Sequence, residues 1–282
     1  MYGQCEPVKP LLGEAARAGC SANKMRRLIL EEPYSQTALW SRRLATFAIA
    51  VAGISVVLSR TRAVEITAGL AVFGAAVLIA CIAVLFALTA AVIIWRTGRR
   101  GGAVAFAGLV LAALLLAYPA WLAVEAVQLP VINDVSTDLV DPPDFSLSAR
   151  AQAARGFTTP APLPDGWSDE QRRNYPDIQP IVLDLEADDT YQLVRKAVAA
   201  LGWNIIDETP PGGRLGLGHI DAIDHTPIMG FPDDITIRIR PLAGQTRIDI
   251  RSASRYGRHD FGANARRIAA FSDELQTQLD AR

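Results

Sequence analysis

The sequence predicts three N-terminal membrane-spanning helices followed by an α+β domain of two layers, in which an antiparallel sheet carries helices on one face. Two observations predict this fold class. The first is that residues 1–128 contain three long apolar runs with few charged residues. The second is that the rest of the chain contains short segments of alternating apolar and polar side chains, together with segments of helical spacing.

The apolar runs are long enough to cross a lipid bilayer. The run from Ile66 to Trp95 holds no charged residue, and at about 1.5 Å per residue it exceeds the ~30 Å thickness of the hydrocarbon core. Buried helices of soluble proteins seldom stay uncharged over more than about 18 residues, so we interpret the runs as transmembrane helices. The transmembrane region is predicted to span residues 39–128, with helices at about 40–58, 66–95 and 103–127. The lipid bilayer is its expected partner.

Basic residues predict the orientation of these helices. They are concentrated before or at the start of the first helix and in the second loop, and they include Lys24, Arg26, Arg27, Arg42, Arg43, Arg96, Arg99 and Arg100. The first loop has only Arg60 and Arg62, and no basic residue follows the third run before Arg150. Cytoplasmic loops are enriched in Lys and Arg. We therefore expect a cytoplasmic N-terminal tail, residues 1–38, and a C-terminal domain outside the cytoplasm.

The N-terminal tail leaves two alternatives open. The segment before Met25 has no apolar period, whereas Met25 is followed at once by Arg26 and Arg27, which already provide a cytoplasmic flank. We hypothesise that translation begins at Met25. The alternative is a polar tail that begins at Met1.

The C-terminal half has the pattern of an α+β domain. Residues 129–180 contain several prolines and no steady period, and we predict an extended linker that lies against a domain of residues 181–282. The domain pattern predicts a strand, a helix, four strands and a helix, at 181–186, 188–201, 203–207, 214–223, 234–240, 247–254 and 263–279. Short turns between consecutive strands predict antiparallel pairing.

Charge and cysteine content exclude several functional classes. Residues 1–128 carry 12 Lys and Arg against 6 Asp and Glu, whereas residues 129–282 carry 16 against 23. An acidic soluble half is unsuited to non-specific binding of nucleic acid, because phosphate contacts need an excess of basic charge. The cysteines, Cys5, Cys20 and Cys81, all lie outside this half, so we expect no disulfide in it.

One polar cluster is a candidate for chemistry. His219, Asp221 and His225 lie close together in the sequence, and His219 and Asp221 would share one face of a strand. A histidine beside a carboxylate can act as an acid–base pair or ligate a metal, and Asp260 is a further catalytic candidate. The alternative is an ordinary polar strand end. Because the ligand set is incomplete, we expect no metal site and no other cofactor.

A group of arginines is the second candidate site. Arg238, Arg240, Arg247 and Arg251 would lie on the outward face of two paired strands. The set predicted to bind an anion, such as a lipid headgroup or a carboxylate, is Arg238, Arg240, Arg251, Arg255 and Arg258. The alternative is a solvated sheet face with cross-strand ion pairs.

The stretch from Ser254 to Ile268 has the pattern S-R-x-G-x-x-D-x-G-x-N-x-x-R-I. Together with Pro130–Thr137 and Phe231–Ile239, it resembles the family named domain of unknown function 1499 (DUF1499), over roughly residues 131–279. The resemblance implies a bacterial envelope protein with N-terminal membrane helices, and it implies no catalytic residues. The motif also permits a structural interpretation, in which Asp260 caps the helix that begins near Ala263.

These observations leave three functional hypotheses. The leading one is a non-enzymatic inner-membrane protein, multi-pass with a cytoplasmic N-terminus, whose periplasmic domain binds an envelope partner protein or a lipid-like ligand. The second is a membrane-tethered enzyme, metal-dependent or not, that uses the cluster of His219, Asp221 and His225. The third is a structural subunit whose helices dock another membrane protein.

Overall fold

The computed structural model describes residues 33–158, 162–212 and 216–281. The hypothesis of a translation start at Met25 lies outside these residues, as does most of the predicted N-terminal tail. Three long helices come first: α1 (Gln36–Arg60), α2 (Ile66–Thr97) and α3 (Gly102–Gln128). Each is long and apolar enough to cross a membrane, as the sequence predicts.

The packing of α1–α3 is typical of a bundle in lipid. Every buried residue in the three helices is Ala, Ser or Gly, whereas large apolar side chains such as Phe47, Leu78 and Leu114 are more than half exposed. In a bilayer the lipid tails cover such side chains, and small residues let helix backbones approach closely. At Gly108 the approach is so close that a Cβ would lie 2.8 Å from the backbone nitrogen of Arg42.

The rest of the chain forms one antiparallel sheet with further helices. The strands are β1 (Asp134–Ser136), β2 (Ile181–Leu183), β3 (Asn204–Thr209), β4 (Gly218–His225), β5 (Pro232–Leu242) and β6 (Gln245–Ser254). Their order is β1-β6-β5-β4-β3, and β2 also pairs with β6. The remaining helices are α4 (Ala149–Ala154), α5 (Trp167–Asn174), α6 (Ala187–Ala200) and α7 (Ala263–Asp280). The predicted fold class, three membrane helices and an α+β domain, is confirmed.

Helices α6 and α7 pack on the sheet face that carries the predicted isoleucines. Ile237 pairs with Ile250, and Ile239 pairs with Ile248. All four side chains are fully buried, as is Phe271 of α7, which lies in the same core. The period of two in these strands therefore determines which face carries the hydrophobic core.

Strands β1 and β2 are two parts of one edge strand. β1 pairs with residues 251–253 of β6, and β2 pairs with residues 246–248, so the chain leaves the sheet after Ser136 and returns to it at Ile181. Where the sequence pattern predicts only an extended linker, residues 129–180 contribute β1, α4 and α5. These elements were missed because they are only three, six and eight residues long, too short to show a period.

Residues 138–158, which we name the strap, cross the sheet face opposite α6 and α7. The hydroxyl of Thr236 on β5 donates a hydrogen bond to the carbonyl of Asp144 at 3.2 Å. The backbone amide of Ser146 donates to Asp221 on β4 at 2.8 Å. The strap thus passes over β5 to β4, and it covers a face that the sequence pattern places outward.

Contacts at the ends of α1 and α3 join the α+β domain to the helix bundle. Arg60, the last residue of α1, donates hydrogen bonds to the carbonyls of Pro227 and Ile228 in the β4–β5 loop. Near the end of α3, Glu125 lies 3.7 Å from Arg266 of α7. The end of α1 and the end of α3 lie at the same end of an up-down-up bundle, so this end faces the domain.

Gly108 and Gly74 provide a matched test of the helix packing. Gly108→Leu should lower the free energy of unfolding by about 1–3 kcal/mol, because the new side chain would meet the backbone of α1. Gly74→Leu should change it by less than about 0.5 kcal/mol, because nothing lies within 4 Å of a Cβ there. Denaturation of the full-length chain in detergent micelles, followed by circular dichroism, measures both. Equal losses would contradict the close approach of α1 and α3.

Candidate functional site

The sheet face beneath the strap carries a buried network of charges. Asp221 on β4, Asp234 on β5 and Asp249 on β6 are all fully buried. The sequence left open whether this face is solvated. It is covered, because the strap and β1 bring further carboxylates to the arginines of β5 and β6.

Two of the predicted anion-binding arginines are paired inside this network. Arg251 forms a bidentate ion pair with Asp134 of β1, with Nε–Oδ1 and Nη2–Oδ2 distances of 3.0 and 2.8 Å. Arg238 contacts two carboxylates of the strap, Asp138 at 3.2 Å and Asp141 at 2.9 Å. Their guanidinium groups thus hold β1 and the strap against the sheet.

Arg155, directly after α4, completes the network, and the sequence analysis missed it. Its guanidinium pairs with Asp221 and lies 3.2 Å from Asp234. Asp234 also accepts hydrogen bonds of 2.7 and 2.8 Å from Arg255, so this third predicted anion-binding residue is paired as well. No pattern marks Arg155, because it follows a short helix in a segment without a period. The ring of Phe145 lies 5.4 Å from its guanidinium carbon.

Asp221 is charged despite its burial. Burial raises the pKa of its carboxyl, but the adjacent imidazole of His219 and the charge of Arg155 lower it below the ordinary value. Asp134 differs, because burial raises its pKa more than the pairing with Arg251 lowers it. Asp221 is therefore an anion at neutral pH, the state in which it pairs with Arg155 and His219.

The structure divides the predicted catalytic cluster. His219 Nε2 lies 2.8 Å from Asp221 Oδ1, and the imidazole as a whole is 26% exposed, so the structure brings these two residues together, but both atoms are buried and their geometry is not that of a hydrogen bond. His225 lies at the far end of β4, where its Nε2 is 3.2 Å from Arg62 of the α1–α2 loop. Burial, together with the charge of Arg62, lowers the pKa of His225. Among the residues that the structure describes, no group of three or more His, Cys, Asp or Glu is placed to hold a metal ion.

Asp260, the fourth catalytic candidate, lies just before α7, whereas His219 and His225 lie on β4. Its Oδ1 accepts a hydrogen bond from the amide of Gly262, and its Oδ2 accepts one from the amide of Asn264, both at 2.9 Å. Such bonds satisfy the free amides of a helix N-terminus. Asp260 thus has the capping geometry that the motif suggests.

A cleft of about 540 Å³ opens where the edge strand is interrupted. It lies between the start of the strap, the segment after α5, and the ends of β5 and β6 nearest their connecting turn. Its charged lining residues are Arg172, Arg240, Arg247, Asp138 and Asp141. Of the five predicted anion-binding arginines, Arg240 is the one that lines the cleft. Arg258 is exposed in the β6–α7 loop.

The ion pairs of the cleft differ in how firmly they are held. Arg247 contacts Asp138 at 2.7 Å and Asp249 at 2.8 Å. Burial raises the pKa of Asp138, but hydrogen bonds from two backbone amides and the charge of Arg247 lower it below its ordinary value. Arg240 instead contacts Asp141 at 3.2 Å, and the Asp141 side chain is 69% exposed. Exposed pairs contribute little, so a carboxylate or phosphate can replace Asp141 at Arg240.

Tyr175 also lines the cleft. Its hydroxyl is buried and has no hydrogen-bond partner among the described residues. Burial, and then the charge of Asp260, raises its pKa to about 12. The phenol is therefore protonated at neutral pH and keeps a hydrogen-bond donor.

A family model described as "Protein of unknown function (DUF1499)" matches residues 134–275, about half of the chain. The chain belongs to the DUF1499 family. A search of curated proteins found no match. The matched residues run from β1 into α7, so the DUF1499 domain includes the strap and the cleft, while α1–α3 precede it.

The DUF1499 motif at the end of β6 joins several elements. Asn264 of α7 accepts a hydrogen bond from Ser252 of β6 at 2.7 Å and donates one to the carbonyl of Asn133 at 3.0 Å. Arg267 donates to Asp233 of β5 at 2.6 Å. The polar residues of the motif therefore fasten α7 to the sheet, which supports the structural interpretation.

Removal of Arg155 tests whether the buried network holds the domain together. Arg155→Ala should lower the free energy of unfolding by about 3–5 kcal/mol, because Asp221 and Asp234 each lose a partner while buried. Arg172→Ala should cost about 0.5 kcal/mol or less, because its ion pair with Asp169 is more than half exposed. Urea denaturation of the full-length chain in micelles compares the two. If both variants unfold at the same midpoint, the network is not a major source of stability.

Proposed function

We propose that this DUF1499 protein is a multi-pass protein of the cell inner membrane with a cytoplasmic N-terminus, and that its periplasmic domain binds a ligand with carboxylate or phosphate groups. In this proposal the domain is a binding module and not an enzyme. The observation that carries it is the cleft at the interrupted edge strand, where Arg172, Arg240 and Arg247 are partly exposed. Guanidinium groups bind carboxylates and phosphates through paired hydrogen bonds.

The charge of the surrounding domain makes the cleft distinct. Residues 129–282 carry more Asp and Glu than Lys and Arg, whereas three arginines and two aspartates line the cleft. Three guanidinium groups thus converge at one place in an otherwise acidic domain, where they can attract an anion. The ligand is expected to replace Asp141 at Arg240, while Asp141 keeps its contact with Arg238.

The position of Arg240 on β5, far from the bundle, favours a ligand from the aqueous compartment. The domain meets the bundle through the β4–β5 loop, at the start of β5. Pro232 and Arg240 are eight residues apart in β5, roughly 26 Å at about 3.3 Å per residue. Arg240 therefore lies far along β5 from the end that meets the bundle. We favour a soluble anion or an acidic segment of an envelope partner over a lipid-like ligand.

The loop charges support the proposed orientation. Arg42, Arg43 and Arg96 lie toward the end of the bundle that faces away from the domain, the end that the positive-inside rule assigns to the cytoplasm. Arg60 and Arg62 lie at the opposite end and count against this assignment. Both have contacts in the domain, with loop carbonyls and with His225, which provides another reason for their positive charge.

One observation favours a second candidate function, a membrane-tethered enzyme. His219 lies beside the buried carboxylate of Asp221 and remains partly exposed, and a histidine beside a carboxylate can act as an acid–base pair. However, His219 does not line the cleft, so a reaction there would not use the anion-binding arginines. We therefore place the binding module first.

Arg240 gives a direct test of anion binding. Titration calorimetry of the full-length chain in nanodiscs, with citrate and with inorganic pyrophosphate as probes, should detect binding of at least one of them. Arg240→Gln should weaken that binding roughly 10- to 100-fold, the equivalent of one charge-assisted hydrogen-bonding group of about 1.5–3 kcal/mol.

Arg195→Gln is the matched control for this titration. Arg195 is 43% exposed and has its own carboxylate partner, Glu208, but it does not line the cleft. Its replacement should leave the affinity unchanged. Equal affinities for the two variants, or no binding of either probe by the native chain, would argue against the cleft as an anion site.

Reporter fusions test the orientation. Alkaline phosphatase, which is active only outside the cytoplasm, should be active when it is fused after Arg282 and inactive when it is inserted between Thr97 and Gly102. The reason is the excess of basic residues at the α2–α3 loop. The opposite pattern of activity would place the domain in the cytoplasm.

A further inference from the structure

The loop between β6 and α7, residues 255–262, lies beside the end of α3. Asn133 donates a side-chain hydrogen bond to the carbonyl of Gly257 at 2.8 Å. A Cβ on Gly262 would lie 2.8 Å from the side chain of Leu129. Since Leu129 directly follows α3, this loop is at the level where α3 leaves the membrane.

Two further contacts, one by a residue after the loop and one by a residue within it, also place the loop near the ends of the membrane helices. Arg266, just after the loop, has its guanidinium carbon 6.0 Å from the ring centroid of Trp121 in α3, and tryptophan near the end of a membrane helix is typical of the interface. The ring of Tyr256 lies 6.2 Å from that of Phe231, which ends the β4–β5 loop that Arg60 holds. Loop 255–262 therefore lies between the ends of α1 and α3.

Two side chains of the loop are available to the surroundings. Tyr256 is 42% exposed. Arg258 is exposed and has no hydrogen bond or ion pair with the described residues, whereas Arg255 in the same loop is paired with Asp234. Tyrosine rings are enriched at the headgroup level of a bilayer, and an unpaired guanidinium suits a phosphate.

We propose that residues 255–262 form a peripheral lipid-binding loop, in which Tyr256 enters the interfacial layer and Arg258 binds the phosphate of a lipid headgroup. The contact adds an attachment to the bilayer itself to those between the domain and the bundle, and it fixes the tilt of the domain over the bilayer. It is separate from the arginines of the cleft on β5 and β6, because the loop follows the end of β6, whereas Arg240 and Arg247 lie near the β5–β6 turn.

Fluorescence quenching in nanodiscs tests the position of the loop in the full-length chain. The three native cysteines are replaced by Ala, and a fluorophore is attached through Tyr256→Cys or Leu242→Cys. Leu242 is a matched control, because it is 46% exposed but lies at the β5–β6 turn. Lipids with a nitroxide on the headgroup, in phosphatidylethanolamine and phosphatidylglycerol, should quench position 256 about threefold more strongly than position 242. Equal quenching would overturn the proposal.

A second set of variants tests the role of the arginine. In the Tyr256→Cys protein, Arg258→Glu should reduce quenching by about half, because a lipid phosphate then repels the loop. Arg150→Glu, at another exposed arginine, should leave it unchanged. If Arg258→Glu and Arg150→Glu reduced quenching equally, Arg258 would not be part of the lipid site. Loss of quenching on addition of inorganic phosphate would assign the loop to a free anion and overturn the lipid contact. Unchanged circular dichroism spectra verify that the variants fold.

Discussion

The pairing of buried aspartates with arginines beneath the strap is the interaction on which the rest of the domain depends. Fully buried carboxylates on β4, β5 and β6 would be prohibitively costly without partners. Arg155 and Arg238 each connect the strap to one of these strands. Replacement of a whole buried ion pair by apolar residues is often neutral for stability, so the network is better understood as the reason that the strap has one position.

The cleft is a consequence of that placement. The same segment that leaves the sheet after β1 carries Asp138, which contacts both Arg238 and Arg247. Asp138 is therefore fixed, and the chain next to it forms one wall of the cleft. Asp141, three residues later, is exposed, so its pair with Arg240 is the weak one. The network thus explains both where the cleft lies and why the pair of Arg240 with Asp141 is its weakest ion pair.

The strands of the sheet could be predicted from local sequence patterns. The ion pairs between the strap and the sheet could not, because they join residues that are far apart in the chain. The isoleucines of β5 and β6 alternate within a few residues, so the core face follows from the sequence. Arg238 and Asp141 are 97 residues apart, and nothing near either residue identifies the other. The candidate site shows the same division. His219 and Asp221 meet because they are two residues apart on one strand. His225 also lies an even number of residues from His219, so it faces the same side of β4. It is about 20 Å from His219 along the strand, at roughly 3.3 Å per residue, and it contacts Arg62 instead.

The contact between Arg62 and His225 connects the topology of the helices to the chemistry of the domain. A guanidinium can donate only to a neutral imidazole nitrogen, and burial with the nearby charge of Arg62 lowers the pKa of His225, so the ring is neutral at neutral pH. The guanidinium donors at this end of the bundle therefore have acceptors within the protein, namely the imidazole and the carbonyls that Arg60 contacts. The positive-inside rule still counts these two arginines, but basic residues are more numerous at the opposite end of the bundle. The excess of basic residues at the opposite end can then determine the topology, although the first loop is not free of charge.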